Sequence, residues 1–157
     1  MAKRYWLFKS EPDVFSFSDL QKAPDATTCW EGVRNYQARN LLRDDMQVGD
    51  GVLYYHSNAK PQIIAGTAEI VRAGYPDHYQ FDPEHKYFDP KASEDNPRWY
   101  MVDIKAVKAF KRPLTLPELK QMPEIEDMML VKKGSRLSVQ PVSKAHWQFL
   151  TKLGLKG

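Results

Sequence analysis

Arg4-Tyr5-Trp6-Leu7-Phe8-Lys9-Ser10, followed by Glu11-Pro12, is the stretch from which the fold can be read. Aromatic and apolar side chains fall on both alternating faces, so Arg4 to Ser10 reads as a strand buried on both sides, closed by Pro12. Beyond it, Ser16 or Ser18 caps a short helical turn that runs through Leu20, and Pro24 to Thr28 reads as loop. Ala38, Leu41, Leu42 and Met46 recur at spacings of three and four, which predicts a helix from Asn35 to Met46. Gly49-Asp50-Gly51 then turns the chain into a strand over Val52 to Ser57. A third strand runs from Gln62 to about Ala73. The segment from Pro76 to Pro97 is irregular, with four prolines. Trp99 to Phe110 alternates as a strand whose phase slips near Ala106, predicting a bulge there. Short helices follow over Thr115–Met122 and Ile125–Val131. Arg136 to Val142 is a last strand, and Ser143 caps a terminal helix carrying Trp147, Leu150 and Leu153. About five strands separated by short helices predict an α+β fold, a curled mixed sheet or small barrel flanked by short helices. Residues 1–157 read as one domain.

Composition agrees with a packed domain. Of 157 residues, 42% are hydrophobic, 12% aromatic and 27% charged, which excludes a disordered chain. No apolar run exceeds about four residues (Val52 to Tyr55 is one), far short of the roughly 20 of a membrane helix. Behind Lys3-Arg4, the apolar group Tyr5 to Phe8 is too short for a secretory signal. A single cysteine, Cys29, excludes internal disulfides and a cysteine-rich metal site. The expectation is a soluble, intracellular protein. Its net charge is +3, and residues 101–157 supply the surplus with eleven Lys and Arg against five Asp and Glu. That balance permits contact with an anionic polymer without demanding it.

The stretch Gly32-Val33-Arg34-Asn35-Tyr36-Gln37-Ala38-Arg39-Asn40 gathers amides and arginines at a helix start. Free N–H groups there favour phosphate or a base carbonyl, and side-chain amides present the donor–acceptor pair that reads a base edge. Arginine supplies phosphate forks. The competing account is an Asn35 N-cap on a solvated helix face. Trp30, between a polar loop and Gly32, is either a ring displayed for stacking or an aromatic plug beneath the loop. In the last strand, Leu137, Val139 and Pro141 alternate with Arg136, Ser138 and Gln140, whose polar face meets either solvent or a ligand. His56 and Ser57 are delivered together at a strand end.

Catalytic patterns are weak. His56 and Ser57 are adjacent, which makes their side chains diverge. Lys9 and Glu11 share a strand face and suit either an acid–base pair or an ion pair. His78 and His85 match no metal-ligand spacing and read as members of a solvated acidic loop. No cofactor or metal is expected.

Several long motifs resemble one family. Tyr5-Trp6-Leu7-Phe8-Lys9-Ser10-Glu11-Pro12, Trp30 to Asn40, Tyr55-His56-Ser57, Tyr87, Asp89-Pro90-Lys91, Arg98-Trp99, Val102-Asp103 and Arg136 to Val142 closely resemble the EVE domain, in order and over nearly the whole chain. The resemblance is to bacterial-type EVE proteins. It implies a PUA-like fold and a nucleic-acid-binding module that takes a flipped, modified base into a pocket, with DNA rather than RNA as partner and modified cytosine as the base. Carried over, it implies a pocket drawing on Lys9, Ser10, Trp30, Asn35, Tyr36, Gln37, Arg39, Asn40, His56, Ser57, Ser138 and Gln140. Arg34, Arg39 and basic residues of the last third, Arg136 among them, would hold phosphates. A separate effector such as a nuclease would act on the bound DNA, with no membrane involved. The location would be cytoplasmic in a bacterium and nuclear in a eukaryote. The alternatives are a hydrolase of modified nucleobases or nucleosides, resembling some ASCH domains and using Lys9, Glu11, His56 or Ser57, and an adaptor whose pocket is vestigial.

Overall fold

The computed structural model describes residues 3–132 and 137–156. Six strands form one mixed sheet: β1 (Tyr5–Ser10), β2 (Thr27–Cys29), β3 (Gly51–His56), β4 (Ile63–Pro76), β5 (Tyr100–Thr115) and β6 (Val139–Val142), in the order β2-β5-β4-β3-β1-β6. β1 lies parallel to β3 and antiparallel to β6, and every other pairing is antiparallel. The sheet is the curled, unclosed form, with β2 and β6 at its margins. Helices α1 (Pro12–Phe15), α2 (Phe17–Lys22), α3 (Tyr36–Asn40), α4 (Leu116–Leu119) and α5 (Lys144–Lys156) are mostly single turns.

The double burial expected of β1 is what the sheet needs at an inner position. Trp6 and Phe8 enter one core with Val52, Tyr54, Ile70 and Ile104, while Leu7 enters a second core with Leu53, Tyr55, Ile64 and Leu150. Fully burying side chains of this size contributes about 1.5–3 kcal/mol each, so both faces of β1 are strongly specified. A buried carboxylate fixes where β1 starts: Asp50 accepts from Arg4 N at 3.1 Å, Trp6 Nε1 at 2.9 Å and Gln47 N at 3.0 Å. The turn that delivers Asp50 passes through Gly49 at φ +96°, a backbone conformation that suits glycine.

Local signals account for most boundaries. Ser16 accepts from Asp19 N and Asp19 reaches back to Ser16 N, a reciprocal cap for α2. Asn35 caps α3 by accepting from Ala38 N at 3.0 Å, and the helix widens into a π turn over Leu41–Asp45 before ending at Met46. The register between β4 and β5 slips from Thr67↔Lys108 to Ala68↔Ala106, which is the expected bulge beside Ala106. The Ser143 hydroxyl accepts from His146 N at the start of α5.

Three expectations change. The loop from Pro24 to Thr28 holds a 3-10 turn and then β2, because Thr27–Cys29 pair with Lys105–Asp103 and supply the sixth strand. The helix over Ile125–Val131 is two separate 3-10 turns, Pro123–Ile125 and Met129–Val131. The last strand starts at Val139 rather than Arg136, and Arg136 itself lies outside the described residues.

Candidate functional site

A cavity of about 320 Å³ opens at the carboxyl end of β1. That volume falls at the lower end of the roughly 300–1,000 Å³ typical of small-ligand clefts. β1 contributes Lys9 and Ser10, α1 contributes Val14 and Phe15, and the run Thr28 to Arg34 forms much of the wall. Tyr87 and Ser138 complete it from two distant segments.

The sequence-derived candidates divide sharply. Lys9, Ser10, Trp30, Arg34 and Ser138 line the cavity. Asn35, Tyr36, Gln37, Arg39, Asn40, His56, Ser57 and Gln140 are not among its lining residues.

Trp30 is not a displayed ring. It is 9% exposed, tilted against Phe8 at 5.2 Å and edge-on to Tyr54 at 5.6 Å, so the cavity meets only a margin of a core side chain. Arg34 is likewise committed. Its guanidinium donates to the fully buried Asp77 at 3.0 Å, to Val33 O at 3.1 Å and to Tyr87 O at 2.8 Å. The group also lies between the rings of Tyr87 and Trp99, at 5.1 and 5.3 Å from their centroids. A phosphate contact by Arg34 would have to compete with all of these.

Asn35 is exposed and serves as the cap described above. Tyr36, 46% exposed, stacks on Trp99 at 4.8 Å and lies outside the cavity. Arg39 donates to Arg98 O at 2.8 Å and to Asn40 Oδ1 at 2.9 Å, while Gln37 points to solvent. The His56 ring accepts from Phe17 N at 3.0 Å, and burial lowers its pKa, with Asp19 pulling the other way. Ser57 N donates to Ser10 O at 2.9 Å, tying the ends of β1 and β3 together.

Gln140 reverses the expected facing of the last strand. It is 1% exposed, sits opposite Leu7 and so shares the second-core face, away from the cavity. Its Nε2 donates to Leu137 O at 3.0 Å. Regular alternation begins only at Val139, which separates Ser138 in the cavity from Gln140 beneath the sheet.

Glu31, Cys29, Thr28, Val33 and Tyr87 are lining residues that the sequence reading did not select. Tyr87 belongs to the segment expected to be a solvated loop, which is instead built on buried polar groups. Asp77 accepts from Gly32 N, Tyr79 N and Arg34, and Gln80 bonds the backbones of Asp77, Arg98 and Trp99. Gly32, at φ +83°, lies so close under Tyr87 that a Cβ there would fall 2.4 Å from the ring.

Chemically the cavity is equipped to bind. The Ser10 hydroxyl donates to Phe15 O at 2.9 Å. Burial, helped by Glu31, pushes the Cys29 thiol up to about 12, so it stays protonated and non-nucleophilic at neutral pH. Burial also lowers the Lys9 ammonium, which has no acidic partner within ion-pair distance among the described residues. Lys9 and Glu11 therefore form no ion pair, and Glu11 accepts from Asn58 Nδ2 at 3.1 Å. Among the described residues, no cluster of three His, Cys, Asp or Glu could hold a metal, and no helix is long and apolar enough to cross a membrane.

Fold and cavity together define a small mixed-sheet binding domain of the PUA-like kind. The chain belongs to the EVE domain family, whose model matches residues 4–153. It is 42% identical to thymocyte nuclear protein 1 of Homo sapiens over 166 residues, covering 95% of this chain and 73% of that protein. A crystal structure of a Pseudomonas putida protein is similar at 48% identity with a TM-score of 0.90, covering 96% of this chain and 99% of that one. Human THYN1, solved in complex with DNA containing 5-methylcytosine, is similar at 42% identity with a TM-score of 0.91, covering 99% of both chains.

Proposed function

We propose that this chain binds DNA and takes a modified cytosine, turned out of the duplex, into the cavity at the end of β1. The observation that carries the reading is its likeness, over 99% of both chains, to a protein solved with 5-methylcytosine DNA. The cavity supports it. Lys9 is a donor awaiting an acceptor, and Val14, Phe15 and Val33 give apolar surface that a methyl group can cover.

Extruding a base costs about a few kcal/mol. Covering the ring and supplying a charge-assisted hydrogen bond of about 1.5–3 kcal/mol offset that cost. The role is non-catalytic in this reading, because the groups nearest to a nucleophile are quenched: Ser10 is spent on Phe15 O and Cys29 is held as the thiol. Any cutting of the bound DNA then falls to a separate chain such as a nuclease. With a net charge of only +3, phosphate contacts are few and the salt dependence is shallow.

The test is fluorescence anisotropy on duplexes that differ only in one 5-methylcytosine, over a range of salt. The methylated duplex should bind more tightly at every salt concentration with a nearly unchanged slope. Equal binding of both duplexes throughout would refute the proposal.

A further inference from the structure

Within the cavity's reading as a cytosine site, we propose that Glu31 is the group that tells 5-methylcytosine from thymine. The two bases share the ring, O2 and the C5 methyl. They differ at position 4, amino against carbonyl, and at N3, acceptor against N–H. Apolar surface shaped for the methyl therefore cannot separate them, although thymine is abundant in any DNA. A site selective for methylcytosine needs an acceptor that meets the 4-amino group.

Most polar groups of the cavity are already engaged. Ser10 donates to Phe15 O, and Thr28 Oγ1 donates to Cys29 O at 3.4 Å. The Arg34 guanidinium is held by Asp77, Val33 and Tyr87. Arg34 Nε has no partner among the described residues but is fully buried, so two charged groups retain accessible capacity. One is the Lys9 ammonium, a donor suited to O2 or N3. The other is Glu31, whose side chain takes only the Cys29 thiol, at 3.5 Å on Oε2, leaving Oε1 without a partner among the described residues. Cys29 keeps its proton and donates it to that carboxylate.

A carboxylate accepts from the cytosine 4-amino group and opposes the lone pairs of thymine O4. Glu31 adjoins Trp30 and Gly32, two of the most firmly placed residues of the wall, so its backbone position is set by the core and by Asp77. The side chain itself is exposed, which makes it replaceable without disturbing the fold.

The experiment compares wild type and Glu31→Gln on three duplexes identical except at one position opposite guanine: 5-methylcytosine, cytosine and thymine. The mismatched thymine is already weakly paired, so its rejection reports the cavity and not the cost of opening. Wild type should prefer 5-methylcytosine over thymine by roughly ten- to a hundredfold. Glu31→Gln should lose most of that ratio, because the amide can turn its NH2 toward O4, while its thermal melt stays at the wild-type value. A wild type that favours 5-methylcytosine over both others, with a variant that keeps the same ratio, overturns the inference alone. So does a wild type that binds methylcytosine and thymine equally above cytosine. Equal wild-type binding of all three duplexes removes the cytosine reading, and this inference with it.

Discussion

Arg34→Ala separates a structural arginine from a phosphate-binding one. In the protein, Arg34 is 22% exposed and its partner Asp77 is fully buried. The substitution removes the 3.0 Å ion pair, leaves the Asp77 charge with only Gly32 N and Tyr79 N, and strips Tyr87 O of its donor. Removing one partner of a buried pair costs about 3–5 kcal/mol, because the remaining charge stays desolvated. For a chain of 157 residues, at roughly 2–4 °C per kcal/mol, this is a fall in Tm of roughly 6–20 °C. The assay is a denaturant or thermal melt of the free protein, paired with the salt dependence of DNA binding by the folded variant. A phosphate-binding arginine would lower the salt slope by about 1 and hardly move the melt. The geometry requires the reverse, a large stability loss with the slope unchanged. A variant that melts with wild type and loses slope would refute the assignment of Arg34 to the Asp77 hub.

Two further variants test the wall and the floor of the cavity. Trp30→Ala, which empties space between Phe8 and Tyr54, should cost about 3–5 kcal/mol in a denaturant melt; unchanged stability with lost binding would make Trp30 a displayed platform after all. Lys9→Met should weaken binding by about 1.5–3 kcal/mol yet raise the melting temperature of the unliganded protein. The sign follows from the lowered Lys9 pKa: folding disfavours its charged form, so stability present above the unfolded value of 10.5 is lost as pH falls through the folded value. The stabilisation should therefore appear at neutral pH and fade as pH approaches 10.5; a variant destabilised at neutral pH would contradict it.

The sheet was legible because its signals are local or periodic. Alternation marked Trp6 and Phe8 against Leu7, and Val52 and Tyr54 against Leu53 and Tyr55, and the structure places those sets in two different cores. The slip at Ala106 is visible for the same reason, since a bulge breaks a period of two. β2 was hidden because Thr27–Cys29 are too few to show a period, and their pairing depends on β5, far along the chain. The site was legible only in part. Lys9, Ser10, Trp30, Arg34 and Ser138 reach the cavity, but Asn35, Tyr36 and Gln37 were chosen for donor and acceptor chemistry that the fold uses as cap, surface stack and solvated face.

The Asn35 cap and the solvated Gln37 are local to α3, but Arg34 and Tyr36 are engaged by the segment between Asp77 and Trp99. It has no strand of its own length and few apolar side chains, so it cannot be ordered by burial of the usual kind. It is ordered by polar groups placed where water is excluded. Gln80 uses both ends of its amide on backbone groups, and Asp89 accepts from Trp99 Nε1 at 2.7 Å. An unmet donor or acceptor at these positions costs about 1–3 kcal/mol, and Arg34 Nε is a buried donor of this hub that goes without a partner among the described residues. The demand reaches across to Arg34 and Gly32 and takes them from any ligand. Tyr87 is thereby held over Gly32 by the backbone hydrogen bond from Arg34, so one wall of the cavity is set by the same polar hub. Arg34, which looks like a nucleic-acid contact in the sequence, thus acts one step away, by fixing a wall of the cavity. In the proposed reading, direct contact with the base falls to Lys9 and Glu31, the charged cavity groups with accessible capacity to spare.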